Sequence, residues 1–125
     1  MARKARRNPV LIVEDDPDLL DMMGIVLDSA DYPVRKALNG REALESAREQ
    51  TPGLILLDMK MPVMDGWEFA TRFREEFDAV APIVVVTAAA DARMRAEEIG
   101  AQSYLAKPFE IDDLIKCVDR YYRAN

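Results

Sequence analysis

Histidine is absent from the 125 residues, and cysteine occurs once, as Cys117. Without histidine, Ser-His and Cys-His nucleophile machinery is excluded together with most zinc sites, and a lone cysteine cannot close an intrachain disulfide. No apolar run approaches the ~20 residues that span a bilayer, and the basic N-terminus lacks the apolar stretch of a secretory signal. A soluble, cytoplasmic protein without membrane insertion is expected. No repeat, low-complexity tract or interdomain linker interrupts the chain. What remains for chemistry is carboxylates, hydroxyls and lysines.

At this length one compact domain is the default, and an apolar fraction of 50% is enough to build its core. The formal charge of −6 is unevenly placed: four of the 17 basic residues, Arg3, Lys4, Arg6 and Arg7, precede the first acid, Glu14. From Asn8 onward 13 basic residues face 23 acidic ones, a balance of −10. Such a body repels phosphate backbones, so no direct nucleic-acid binding is expected. Residues 1–8, opening MARKARR, read as a basic, disordered, solubilising tail, and 9–125 as the folded domain.

Short aliphatic runs recur at Val10–Val13 (VLIV), Leu54–Leu57 (LILL), Ile83–Val86 (IVVV) and, more weakly, Ser103–Ala106 (SYLA). A fifth stretch, YPVRKAL, is more polar. Continuous apolar runs suit strands buried on both faces, as in a parallel sheet, with the polar one at an edge. Between them lie segments of helical period. Leu19, Leu20, Met23, Val26, Leu27 and Ala30 form a stripe behind an Asp16 cap and Pro17 at the first position. Asn39 opens a helix carrying Ala43, Leu44 and Ala47, which stops before Pro52. Asp65 and Glu68 stand at capping-box spacing ahead of Phe69, Ala70, Phe73 and Phe77. The fourth helix, about Ala92 to Ile99, ends at Gly100 and has a thin, alanine-rich inner face. The fifth is expected to bury Ile111, Leu114, Ile115, Val118 and Tyr122, with Cys117 on the opposite side. Five βα repeats argue for an α/β fold, a parallel sheet with helices on both faces and right-handed crossovers.

In such sheets ligands gather outside the carboxyl ends of the strands, where the strand order reverses. Just past the central runs stand Glu14, Asp15 and Asp16, then Asp58, Thr87 and Lys107. Clustered carboxylates raise one another's pKa unless a cation holds them, and few protein oxygens with retained waters favour Mg²⁺. An aspartate can attack phosphorus to form an aspartyl phosphate. That transfer needs positioning and charge neutralisation more than acid-base help, which suits a site with a lysine and no histidine.

The motifs VEDD, LLDMKMPVMDG, VVVTA and YLAKPF, in this order across Pro9 to Tyr122, resemble the receiver domain of two-component response regulators. The resemblance implies a flavodoxin-like (βα)5 doubly wound parallel five-stranded sheet of strand order 2-1-3-4-5. It implies Asp58 as phospho-acceptor, taking the group from the phosphohistidine of a sensor histidine kinase or histidine phosphotransfer protein, with Mg²⁺ as cofactor. Asp15 is then a direct metal ligand, Glu14 a ligand directly or through water, and Asp58 and the backbone carbonyl of Lys60 complete the protein's share. Many receivers carry Asp where this chain has Glu14. Lys107 is implied to neutralise phosphate oxygens, Thr87 to bond them after transfer, and Thr87 with Tyr104 to form the switch. The Lys107–Pro108 bond is cis in most relatives. Phosphorylation adds about −1.5 to −2 charges at one strand end, and the surface of the fourth helix, fifth strand and fifth helix is expected to change its affinity for a downstream effector protein. The side chains two past the acceptor and two past the threonine, Lys60 and Ala89, tune phosphoryl lifetime in the family, and Ala89 points to slower loss.

Singly, each of these residues has a bland reading: Asp16 as a helix cap, Asp58 as a turn residue, Thr87 as a strand end, Lys107 as a loop lysine. Their joint placement at one edge favours the functional one. Met59, Met61 and Met64 read as packing, and Trp67 as a half-exposed packing residue. Two other functions compete with the phosphorylation switch. A constitutive interaction module would keep the fold without phosphorylation, whereas every key residue is present. A Mg²⁺-dependent phosphatase with an aspartate nucleophile wants a second acid two residues on, where this chain has Lys60. No turnover of a separate substrate is expected. As given, the chain resembles a stand-alone receiver, or equally a piece of a larger regulator or hybrid kinase.

Overall fold

Aliphatic runs with no polar alternation leave two faces of a strand to be covered, and this protein covers both. The computed structural model describes residues 7–78 and 81–124. The strands are β1 (Val10–Val13), β2 (Val34–Ala37), β3 (Leu54–Leu57), β4 (Ile83–Ala88) and β5 (Ser103–Lys107). They alternate with α1 (Pro17–Ser29), α2 (Gly40–Glu49), α3 (Gly66–Glu76), α4 (Ala92–Ile99) and α5 (Ile111–Tyr121). All pairings are parallel, in the order β2-β1-β3-β4-β5, the order that the resemblance implies. β4 and β5 outrun their apolar stretches. The ladder pairs Thr87 with Ala106 and Ala88 with Lys107, so both site residues belong to strand ends rather than to loops.

The period of two along each strand sorts the core into two layers. Val10, Ile12, Leu54, Leu56, Val84 and Val86 meet Leu20, Met23 and Leu27 of α1 and Leu114 and Val118 of α5. Leu11, Val13, Ile55, Leu57, Ile83 and Val85 meet the other three helices, through Ala43, Leu44 and Ala47, Phe69, Ala70 and Phe73, and Ala96 and Ile99. Phe73 packs between Phe69 and Phe77, with ring centroids 5.7 and 5.0 Å away.

Helix starts follow the sequence signals. Asp16 Oδ1 accepts from the N–H groups of Asp18 and Leu19, Asn39 Oδ1 from Glu42, and Asp65 Oδ1 from Glu68. At α3 the capping box stays half-made, because the Glu68 carboxylate turns to Arg72 one turn on, at 2.8 Å. α4 closes on Gly100 at φ 62°, where the Ala101 N–H donates back to the Ala96 carbonyl at 2.9 Å.

Two expectations shift. Asn8, placed in the tail, is tied to the opposite terminus: its N–H donates to the Ala124 carbonyl at 3.0 Å, and its own carbonyl accepts from the Tyr122 hydroxyl at 2.6 Å. Residues 1–6 of that tail lie outside the described residues. α5 is rotated from its expected setting: Ile111 is 52% exposed, while Cys117 and Tyr121 pack with Leu114 and Val118 against the sheet. Those four residues, spaced i, i+3, i+4 and i+7, make a straighter stripe than one through Ile111 and Ile115. Burial pushes the Cys117 thiol up to about 11, so it is an inert packing group. Truncating the inner stripe with Leu114→Ala is expected to cost about 2–5 kcal/mol in denaturant unfolding, against less than about 1 kcal/mol for Ile111→Ala. Equal costs would restore the original helix setting.

Candidate functional site

The register of two strands builds the site. β1 and β3 are neighbours with Val13 opposite Leu57, so the next residues, Glu14 and Asp58, leave the sheet at one level. The ladder runs one step further: the Asp58 N–H donates to the Val13 carbonyl at 2.9 Å and the Glu14 N–H to the Ala37 carbonyl at 3.0 Å. From this edge the chain departs to opposite faces, through α1 and through α3, which makes it the switch point where open α/β sheets bind ligands.

Glu14 and Asp58 are 2% and 6% exposed, whereas Asp15 faces solvent. One oxygen from each of the three carboxylates lies within 4.8 Å of the others. Lys107, at the last position of β5, reaches across β4 to place its ammonium 2.7 Å from Glu14 Oε1 and 3.6 Å from Asp58 Oδ2. The Asp16 N–H, donating to Glu14 Oε2 at 3.1 Å, fixes the other side of that carboxylate. Asp58 is pushed up to about 7, first by burial and then by the Glu14 charge, with Lys107 opposing. Burial draws the Lys107 ammonium down, but the surrounding Glu14, Asp58 and Asp15 outweigh it and the net direction is up.

The break after Asp58 is a tight turn folded back on the site. The Met64 N–H donates to the Pro62 carbonyl at 2.7 Å around Val63, whose φ is 69°. The Gly66 N–H then donates to the Met59 carbonyl at 2.8 Å. A Cβ on Gly66 would lie 2.7 Å from Met59 Sδ and 2.9 Å from the Asp58 carbonyl, so glycine is required by space. Met59 itself is fully buried beneath this loop.

Of the expected site residues, Glu14, Asp15, Asp58 and Lys107 are brought together. Thr87 is buried on β4, the strand beside β3. Tyr104 stands apart on the edge strand with its residue 44% exposed. The Lys60 side chain points to solvent from the turn, and the Lys107–Pro108 bond is cis. Two contributors escaped the sequence reading, the Asp16 N–H that aims Glu14 and Gly40, whose N–H holds the Met64 carbonyl at 2.9 Å. Both act through the backbone, which side-chain chemistry does not signal.

Comparison with known proteins gives a family and a fold. The response regulator receiver domain family matches residues 10–119. The transcriptional regulatory protein PrrA of Mycobacterium tuberculosis is 39% identical over 116 residues, 91% of this chain and 49% of its own length. The DNA-binding dual master transcriptional regulator RpaA of Synechocystis is 33% identical over 109 residues, 85% of this chain and 45% of its own. Among solved structures, chemotaxis protein CheY4 of Vibrio cholerae aligns with a TM-score of 0.82 at 32% identity, covering 92% of this chain and 98% of that one. Among the described residues no helix is long and apolar enough to cross a membrane.

These relatives correct the partner expectation. The acidic balance argued for partners that exclude nucleic acid, yet PrrA and RpaA are a transcriptional regulator and a DNA-binding one. The chain spans about half the length of these curated relatives. A charge balance describes only the residues counted, and nucleic acid cannot be set aside from it.

The Asp58 pKa carries a sign for stability. Between about 4 and about 7 the metal-free folded protein holds a proton on Asp58 that the unfolded chain has lost, so this group's contribution falls as pH rises through that window. Asp58→Asn is expected to flatten that slope and to raise the unfolding free energy at pH 8 by about 1–2 kcal/mol after allowance for solvent screening. Urea unfolding at pH 5 and pH 8 in chelator checks it; equal pH slopes for the two proteins would contradict the buried-charge account.

Proposed function

We propose, from the premise that this chain belongs to the response regulator receiver domain family, that Asp58 accepts a phosphoryl group from the phosphohistidine of a sensor histidine kinase or histidine phosphotransfer protein. The reading is carried by one observation: three carboxylates converge within 4.8 Å at the sheet's switch point, beside the Lys107 ammonium. A structural cluster of ion pairs would match its charges, whereas here acids outnumber the one lysine that reaches them among the described residues. Receivers are not turnover enzymes as a family, which suits a site with an acceptor and no general base.

The donor set fits a hard divalent cation, since the oxygens are carboxylates, acids outnumber the lysine beside them, and burial followed by the Glu14 charge pushes Asp58 up to about 7. Glu14, Asp15, Asp58 and the Lys60 backbone carbonyl would hold Mg²⁺. When bound, the ion neutralises carboxylate and phosphoryl charge during transfer.

The chain's own residues do the rest. An Asp58 carboxylate oxygen attacks phosphorus as the P–N bond to the donor imidazole breaks, and the imidazole departs with the electron pair. The Lys107 ammonium leaves its hold on Glu14 and Asp58 to share the phosphoryl oxygens. The Thr87 hydroxyl, on the adjacent strand, donates to another. β4 and β5 are paired at these ends, Thr87 with Ala106 and Lys107 with Ala88, so the loops leading to α4 and α5 shift with them and alter the α4, β5 and α5 surface that a downstream effector reads. Ala89, exposed two residues past Thr87, offers no group to position water, which favours slow hydrolysis.

Incubation with Mg²⁺ and a small acyl phosphate donor, followed by intact mass spectrometry, is expected to show one phosphoryl adduct labile to hydroxylamine. Asp58→Asn should abolish it, and Lys107→Ala should slow its formation by roughly 10²-fold or more, as loss of a positioned charge does. An adduct that survives Asp58→Asn would defeat the assignment.

A further inference from the structure

α4 is held by little apolar surface. Eight residues long, it buries only Ala92, Ala96 and Ile99. Its first turn makes no side-chain capping bond, and residues 88–90, which join it to Thr87, are exposed. Its last turns, by contrast, are gripped by α3. The Trp67 indole N–H donates to Glu98 Oε1 at 2.9 Å. The Arg95 guanidinium lies 5.1 Å over the Trp67 ring and 3.3 Å from Glu98. Arg74 donates to the carbonyls of Ile99 and Gly100, where a helix end favours a cation.

Ring, guanidinium and carboxylate close a triangle in which each group meets the other two. Arg95 keeps only 18% of its side chain exposed, so this is more than a solvated surface pair. The α3 side of the triangle is anchored at the site itself: Trp67 follows Gly66, whose N–H is bonded to the carbonyl of Met59, the residue after Asp58. The α4 side rides on the helix that follows Thr87. The triangle therefore bridges the segment that follows Asp58 and the helix that follows Thr87.

We propose that Trp67, Arg95 and Glu98 act as a brake on the switch, a contact made in the resting arrangement and loosened when Thr87 is drawn toward Asp58. The proposal rests on the phosphoryl-acceptor reading. A contact present in one of two arrangements opposes any ligand that favours the other, and its removal tightens that ligand by the same factor. The brake thus sets how much phosphorylation or partner binding the switch needs, and its three side chains are other than those of Thr87 and Tyr104.

The test uses the full chain with Glu98→Ala, which leaves a good helix former in α4, and Trp67→Phe, which keeps a ring but removes the indole N–H. Two readouts are taken: amide hydrogen exchange in α4 without ligand, and affinity for beryllium fluoride with Mg²⁺ as a phosphoryl analogue. Both variants are expected to exchange α4 amides about three- to tenfold faster and to bind the analogue roughly two- to fivefold more tightly. If the wild type binds the analogue and either variant binds it equally or more weakly, or if α4 exchange is unchanged, the brake is overturned. If the wild type fails to bind it at all, the acceptor reading falls instead.

Discussion

Glu14 and Asp58 stand at the ends of adjacent parallel strands whose backbones lie about 4.8 Å apart, and the chemistry of this edge follows from their repulsion. Because Val13 and Leu57 are in register, the two acids cannot part without breaking the sheet. The sheet resists because β1 and β3 are buried on both faces, with no residue of either strand more than 1% exposed. Hydrophobic burial thus imposes a charge arrangement that water alone would disperse. The ammonium of Lys107 relieves part of it, and the remainder favours a cation. A site of this kind is poised rather than relaxed, since the same core that stabilises the fold holds the acids in place.

The five helices are not equally secured. The first three are capped by Asp16, Asn39 and Asp65, and each buries a stripe of larger side chains or closely packed alanines. α4 has neither a side-chain cap nor a wide apolar face and is held at its far end by polar contacts from α3. Apolar contacts are non-directional and tolerate small shifts poorly in a packed core, whereas a few polar contacts form or break as units. That difference leaves α4 held mainly by polar contacts, and it follows the strand end that carries Thr87.

The relatives widen the setting of this domain. A receiver that matches half of a transcriptional regulator and nearly all of a chemotaxis protein is a transferable unit. Its acidic balance describes the residues counted, and those span about half the length of these curated relatives.

Much of this protein was legible in its residues. Uninterrupted runs such as LILL require burial on both faces, and capping residues with helical stripes alternate between them, so the parallel α/β layout and the order of its elements followed from local pattern. Placing Glu14, Asp58, Thr87 and Lys107 at strand ends then brought the site's chemistry into view before any geometry. The face that α5 buries was not legible, because Ile111, Ile115, Cys117 and Tyr121 offer two stripes of similar hydropathy and only packing against α1 and the sheet chooses between them. Nor were the Lys107 to Glu14 pair, the backbone donor at Gly40, or the Trp67, Arg95 and Glu98 triangle, which join residues through strand order and helix placement, or the Asp16 N–H, a backbone group that side-chain chemistry does not signal. Local sequence determines periodicity and chemical type; which groups meet at a few ångströms is decided only when the layers close.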